Sequence, residues 1–312
     1  SIMRNKKSLF FYVFIFFLSF TFHIAKAASN KIIVAYVTSW SSITPDPTKM
    51  THINYSFGHV NSSFNGVTID NATRLQSIVA LKAQNPALKV LLSIGGWGSG
   101  NFSEMAGNAT NRLAFAADCQ RVVSQYNLDG IDIDWEYPGS GAAGITYSSN
   151  DKANYTLLMR DIRNSIGTSK LLTLASSTDV SYYDFSAILQ YVDFINIMAY
   201  DMNNVPYHHA ALYDGGVVSP WSTCDRAVTD HLNAGIPANK LVLGMPFYAR
   251  GSGNFDFMDY KNVKTYIGNG YTEKWDDVAK VPYLVANTAP NAMICSYDNP
   301  TSLGIKCQYI ID

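Results

Sequence analysis

Charge is scarce in this sequence: Lys, Arg, Asp and Glu make up 15% of its 312 residues and cancel to a formal net charge of -1. So even a balance leaves no basic field for a polyanion, and nucleic acid is not an expected partner. Low charge together with 47% hydrophobic residues excludes a disordered chain and describes a folded protein with a sizeable core. Cysteine is also sparse. Cys119, Cys224, Cys295 and Cys307 lie far apart and lack metal-ligand spacing, so neither a metal nor a cofactor is implied. Four buried thiols and one or two disulfides both stay open. Internal repeats, low-complexity tracts and Pro/Ser-rich linkers are missing, which favours one large domain.

Only one long hydrophobic run occurs. Arg4, Lys6 and Lys7 precede the apolar residues 9–22, and Ala25-Lys26-Ala27 follows. The run is shorter than the roughly 20 residues of a bilayer span. Residues 1–27 therefore read as a secretory signal peptide, and 28–312 as the mature domain, secreted to an extracellular or periplasmic space and not membrane-bound after cleavage. Sequons at Asn61, Asn71, Asn101, Asn108 and Asn154 carry glycans only if the source glycosylates.

Downstream, short apolar or β-branched runs at 32–37, 52–57, 90–94, 130–135, 171–175, 194–198 and 241–245 predict buried parallel strands. Helical patterns intervene at 71–84, 111–126, 150–166 and 220–234. This alternation fits an α/β protein, either a doubly wound sheet or a (β/α)8 TIM barrel. Polar and aromatic residues at the strand C-termini favour the barrel, whose active site lies at that mouth. After a helical stretch at 301–311 no eighth strand follows, so the barrel is expected to be C-terminally incomplete.

The run DGIDIDWEYP, Asp129 to Pro138, places four acids in a segment otherwise built for burial. Strand alternation puts Gly130, Asp132, Asp134 and Glu136 on one face and Ile131, Ile133 and Trp135 on the other. If the isoleucines pack under helices, the acids line the barrel interior. Same-face neighbours about 6.6 Å apart repel by roughly 2.5 kcal/mol when both are ionised. The row should therefore share protons near neutral pH and titrate as a coupled set. A carboxyl kept protonated beside a carboxylate is equipment for glycoside cleavage.

These residues match the DxxDxDxE pattern, and the chain resembles glycoside hydrolase family 18 in its chitinase branch. LLSIGGW with Ser93, Gly95, Gly96 and Trp97, INIMAYD with Met198, Tyr200 and Asp201, GMPFYAR with Tyr248 and Arg250, and HHAALY from His208 are similar to further family segments in the same order. The resemblance implies a (β/α)8 barrel and a retaining mechanism assisted by the substrate's 2-acetamido group. It implies Glu136 as the proton donor and later activator of water. It implies Asp134 as the partner of the acetamido N–H, Asp132 as the proton-sharing partner of Asp134, and Tyr200 as holder of the acetamido oxygen.

Asp129, of opposite parity, reads as structural support. Candidate substrate contacts are Trp97, Gly96, Tyr36, Phe57, Tyr137, Met198, Asp201, Tyr248 and Arg250, with Trp40, Trp135 and Trp221 as further aromatics and His208 and His209 as contacts or loop-shaping residues. Only a short loop is read after Arg250, so no α+β insertion domain is expected. The groove should then be shallow and the cutting endo-type. The expected partner is chitin or N-acetylglucosamine oligomers, bound by a monomer. The alternatives are an endo-β-N-acetylglucosaminidase on N-glycans and a non-catalytic carbohydrate-binding lectin.

Overall fold

The apolar runs fold as parallel strands because each carries hydrophobic side chains on both faces, which only a sheet covered on both sides can bury. The structure, a computed structural model, describes residues 31–215 and 222–312. The leader expected over 1–27, Trp221 and the first residues of the helix expected from 220 lie outside them.

Seven parallel strands form the main sheet: β1 (Val34–Thr38), β2 (His52–Val60), β4 (Lys89–Gly95), β5 (Gly130–Asp134), β6 (Leu171–Ser176), β7 (Phe194–Ile197) and β8 (Leu241–Leu243), paired in that order, while β3 (Val67–Ile69) runs antiparallel to β2. Helices α1 (Ala72–Val79), α2 (Phe102–Ala106), α3 (Ala109–Gln125), α4 (Asp151–Ile166), α5 (Phe185–Ile188) and α6 (Cys224–Asn233) alternate with the strands. This is the order of a (β/α)8 barrel, with seven of its strands among the described residues. No helix there is long and apolar enough to cross a membrane.

The outer core follows the predicted parity. Ile131, Ile133, Leu172 and Leu174 are fully buried and share one hydrophobic cluster with Phe115 and Val122 of α3 and Leu158 and Ile162 of α4. Trp135 belongs to this layer rather than to the cleft, since its indole stacks on Phe102 at 5.2 Å. Asp129 is structural, as expected: its carboxylate accepts from Val90 N at 2.8 Å and meets Lys82 Nζ at 2.5 Å. All four cysteines are free thiols, three of them buried and Cys307 exposed.

The reading of a mere loop after Arg250 is corrected. Strands β9 (Tyr248–Gly251), β10 (Met258–Asp259), β11 (Tyr271–Asp276), β12 (Val281–Ala286) and β13 (Ala289–Ser296) form a five-stranded antiparallel sheet in the order β10-β9-β13-β12-β11, with α7 (Tyr260–Tyr266) beside it. Its core is Ala249, Phe255, Val263, Leu284, Cys295 and Tyr297. A small α+β module thus follows β8, and α8 (Pro300–Ile311) leaves it behind an Asn299 capping box.

Candidate active site

The acids sit where β5 ends. Gly95 on β4 lies in register with Asp134, and only glycine fits there, because a Cβ at that position would approach Asp134 O to 1.9 Å. Gly96, at φ 96°, donates its N–H to Asp134 O at 2.9 Å and rests against the ring of Phe57. These glycines let two strands and an aromatic ring close beneath the reactive row.

Asp132 is fully buried and holds four donors: Tyr36 Oη at 2.9 Å, Ser93 Oγ at 2.8 Å, Thr173 Oγ1 at 2.6 Å and Asn196 Nδ2 at 3.3 Å. Burial raises its pKa, and the four donors oppose that rise. Asp134 lies next along the row. Burial, then the charges of Glu136 and Asp132, push the pKa of the Asp134 carboxyl well up. Two neighbouring buried carboxyls favour a shared proton over two charges.

Burial is also the main cause that holds Glu136 at about 7, with the charge of Asp201 adding to it and hydrogen bonds from Tyr137 and Asp134 working against it. A general acid acts in its protonated form. The basic limb of kcat/KM is therefore expected near pH 7, activity falling as pH rises through it. A pH–rate profile whose basic limb lies at the ordinary glutamate value would contradict this.

Tyr200 follows β7 on the inward parity of Asn196 and Met198, the latter half-buried in the same wall. Burial and the nearby charges of Asp134, Asp201 and Glu136 push its phenol up, so it remains a hydrogen-bond donor. Asp201 does the opposite. Burial would raise it, but the Arg250 guanidinium and the Tyr248 hydroxyl beside it work the other way, and its pKa is lowered. Tyr248 Oη donates to Asp201 at 2.9 Å, Arg250 Nη1 reaches it at 3.0 Å, and the Arg250 guanidinium lies 4.0 Å from the ring centroid of Phe257.

The candidate contacts thus divide. Tyr36, Tyr248 and Arg250 reach the site through Asp132 or Asp201. Tyr137 bonds Glu136 and stacks on Tyr182 at 4.8 Å, with the Trp97 ring 6.4 Å away. Trp40 and Trp97, 71% and 64% exposed, stand over a cavity of about 470 Å³ lined also by Phe57, His59, Asp70 and Gly96. His59 bridges Ser99 Oγ at 2.8 Å and Asp70 Oδ2 at 2.9 Å, tying down the loop that carries Trp97. His208 and His209 are both buried and shape their loop.

Sequence reasoning missed Thr173, Asn196 and the role of Tyr36 as donors to Asp132. The available signal was a polar residue at inward parity inside an apolar strand, as in LTLAS and INI.

Known proteins bear on this geometry. The family model for glycosyl hydrolases family 18 matches residues 32–312. The chain is 33% identical to Chitinase A1 of Niallia circulans, the match covering 92% of this chain and 55% of that protein. It spans a little over half the length of that relative. Among solved structures, a glycoside hydrolase family 18 N-acetylglucosaminidase from Paenibacillus barengoltzii superposes with a TM-score of 0.80 at 34% identity, covering 90% of this chain and 92% of that one. The chitinase domain of the spore coat protein CotE from Clostridium difficile superposes at 0.72 with 35% identity, over 92% and 86% of the two chains.

Proposed function

The chain belongs to glycosyl hydrolase family 18, and on that premise we propose that it hydrolyses β-1,4 links between N-acetylglucosamine units of chitin by a retaining, substrate-assisted mechanism. The observation that carries the proposal is the buried acid row at the end of β5, with Asp132 fixed by four donors, Asp134 buried beside it and Glu136 just past the strand end. Glu136 gives its proton to the glycosidic oxygen, then takes one from water in the second half-reaction. Asp134 accepts from the acetamido N–H and stabilises the positive charge that develops as the acetamido oxygen attacks C1. Tyr200 donates to that oxygen and keeps it at attack distance, which removes orientational freedom before the reaction. Asp132 sits deeper in the row, its carboxyl immobilised by its four donors.

The test is hydrolysis of N-acetylglucosamine hexamers beside glucosamine hexamers and N-glycans. Cleavage of the acetylated hexamer alone, with the β-anomer formed first, is the expected outcome. Cleavage of the unacetylated hexamer, or initial release of the α-anomer, rules out participation of the acetamido group. Cutting confined to N-glycans would move the substrate to the rival endo-β-N-acetylglucosaminidase class.

Endo-type cutting is part of the proposal, now on a different footing, since the module after β8 removes the argument from a bare groove. Its support is exposed aromatic surface at two places around the acids: Trp40 and Trp97 at the cavity beside Gly96, and Phe257, 60% exposed, beside Tyr248 and Arg250. A polymer can lie across such a site in both directions. Early release of one small oligomer from chain ends, without mid-chain cuts, overturns it. Trp97→Ala is expected to raise KM for oligomers about tenfold, the loss of one stacked ring, with kcat nearly unchanged. Steady-state kinetics on the hexamer separates the two constants. Export guided by residues 1–27 and action as a monomer complete the proposal; N-terminal sequencing of protein recovered from the medium and light scattering of the mature chain test them.

A further inference from the structure

Asp201 occupies the left-handed backbone region at φ 55°, uncommon for a non-glycine residue and more open to Asp than to most. What holds it here is a histidine eight residues on. The Asp201 N–H donates to Nδ1 of His209 at 3.2 Å, and the loop closes on itself through Met202 N to His209 O at 3.1 Å. His209 is in turn fixed from the small module. Its N–H donates to Ser296 Oγ on β13 at 3.0 Å, its ring lies 5.5 Å from that of Tyr248 on β9, and neighbouring His208 meets Asp276 Oδ2 at the end of β11 at 3.0 Å.

We propose that His209 is a positioning residue for the reaction: a neutral imidazole, protonated on Nε2, that holds the backbone of Asp201 and so sets the Asp201 carboxylate against Tyr248, Arg250 and the reactive pair. The hydrogen-bond geometry selects this tautomer. Nδ1 must present a lone pair to the Asp201 N–H, because a proton there would face that N–H head-on, and the Asp201 carboxylate, at 3.5 Å from Nδ1, is farther than the amide. The proton then belongs to Nε2, which is buried and has no hydrogen-bond partner among the described residues. Asp201, Asp298 and Lys306 are the charged groups that face the ring, with His208 beside it in the chain.

This inference rests on the proposed hydrolysis, since what Asp201 is positioned for is the Asp134–Glu136 pair. Three variants test it. In His209→Asn the side-chain oxygen can take the place of Nδ1, in His209→Gln it lies one bond too far out, and in His209→Leu it is gone. For the Gln and Leu variants kcat on N-acetylglucosamine hexamers is expected to fall about tenfold to a hundredfold, the usual effect of a small misplacement. KM should stay near the wild-type value, and the basic limb of the pH–rate profile should move to lower pH as the Asp201 charge leaves Glu136. The Asn variant should recover kcat and the limb.

Gln and Leu variants that melt like the wild type yet keep its kcat and pH profile overturn the proposal, as does an Asn variant no better than Leu. Should the substitutions prevent folding, the nitrogen NMR spectrum of the wild-type histidine rings decides: a proton on Nε2 alone is expected, and one on Nδ1 refutes the assignment. That spectrum needs no turnover. An inactive wild-type chain would therefore refute the hydrolysis while leaving the positioning claim to be judged on the tautomer.

Discussion

Glu136→Gln is expected to lower kcat on chitin oligomers by roughly 100- to 10,000-fold, the range a positioned general acid supplies. The amide keeps the shape of the side chain and avoids burying a charge, but it has no proton acidic enough for a departing sugar oxygen. Because Glu136 is held at about 7, it is largely neutral in weakly acidic solution, where the substitution exchanges one uncharged group for another. Melting temperature and KM should therefore barely change there, and the loss should appear in kcat. Substrates whose leaving group departs without protonation, such as a nitrophenyl glycoside, should lose much less in the first half-reaction. The discriminating measurement is the ratio of the two losses. A variant that hydrolyses the natural oligomer at the wild-type rate would remove Glu136 from the reaction and the proposed mechanism with it.

The acid row was legible in the sequence because one alternation carried two messages. Ile131 and Ile133 had to face helices, so Asp132 and Asp134 had to face inward, and the structure buries both sets. The direction of Glu136 was not legible. By parity Asp132 and Glu136 are equivalent neighbours of Asp134, but β5 stops at Asp134, so the direction of Glu136 is no longer set by alternation. Asp132 is also held by donors from β1, β4, β6 and β7, contacts that span up to 96 residues of sequence and leave no local trace.

The small module escaped for a different reason. Pro282 and Pro290 fall within β12 and β13, where a proline argues against a strand, and the turn between them, Asn287 and Thr288, contains no glycine. Both prolines are tolerated because they stand near the starts of their strands. The structure also shows what the module does for the site: Tyr248 and Arg250 reach Asp201 from β9.

The same junction contains the contact whose loss should destabilise the fold most. Lys306 of α8 and Asp298, just after β13, meet at 2.6 Å with both side chains fully buried, and Lys306 Nζ also donates to Ala210 O at 2.6 Å. Burial by itself favours the neutral amine, yet the charge of Asp298 overrides it and raises the lysine pKa. Ser302 Oγ donates to the other carboxylate oxygen at 2.6 Å. Within GIKCQYI the lysine reads as a solvated helix face, and only the fold reveals that it joins three segments.

Lys306→Met leaves a buried carboxylate without its cation and an unpaired carbonyl, and should cost about 3–5 kcal/mol. For a domain of this size that corresponds to a fall in melting temperature of roughly 10 °C. Asp298→Asn combined with Lys306→Met removes both charges and should lose much less than Lys306→Met alone, because the penalty lies in the stranded charge and not in the missing attraction. Urea unfolding of the two single variants and the double variant measures the coupling. Equal losses in the double variant and in Lys306→Met would mean that packing around α8, and not the buried charge, sets the stability of this junction.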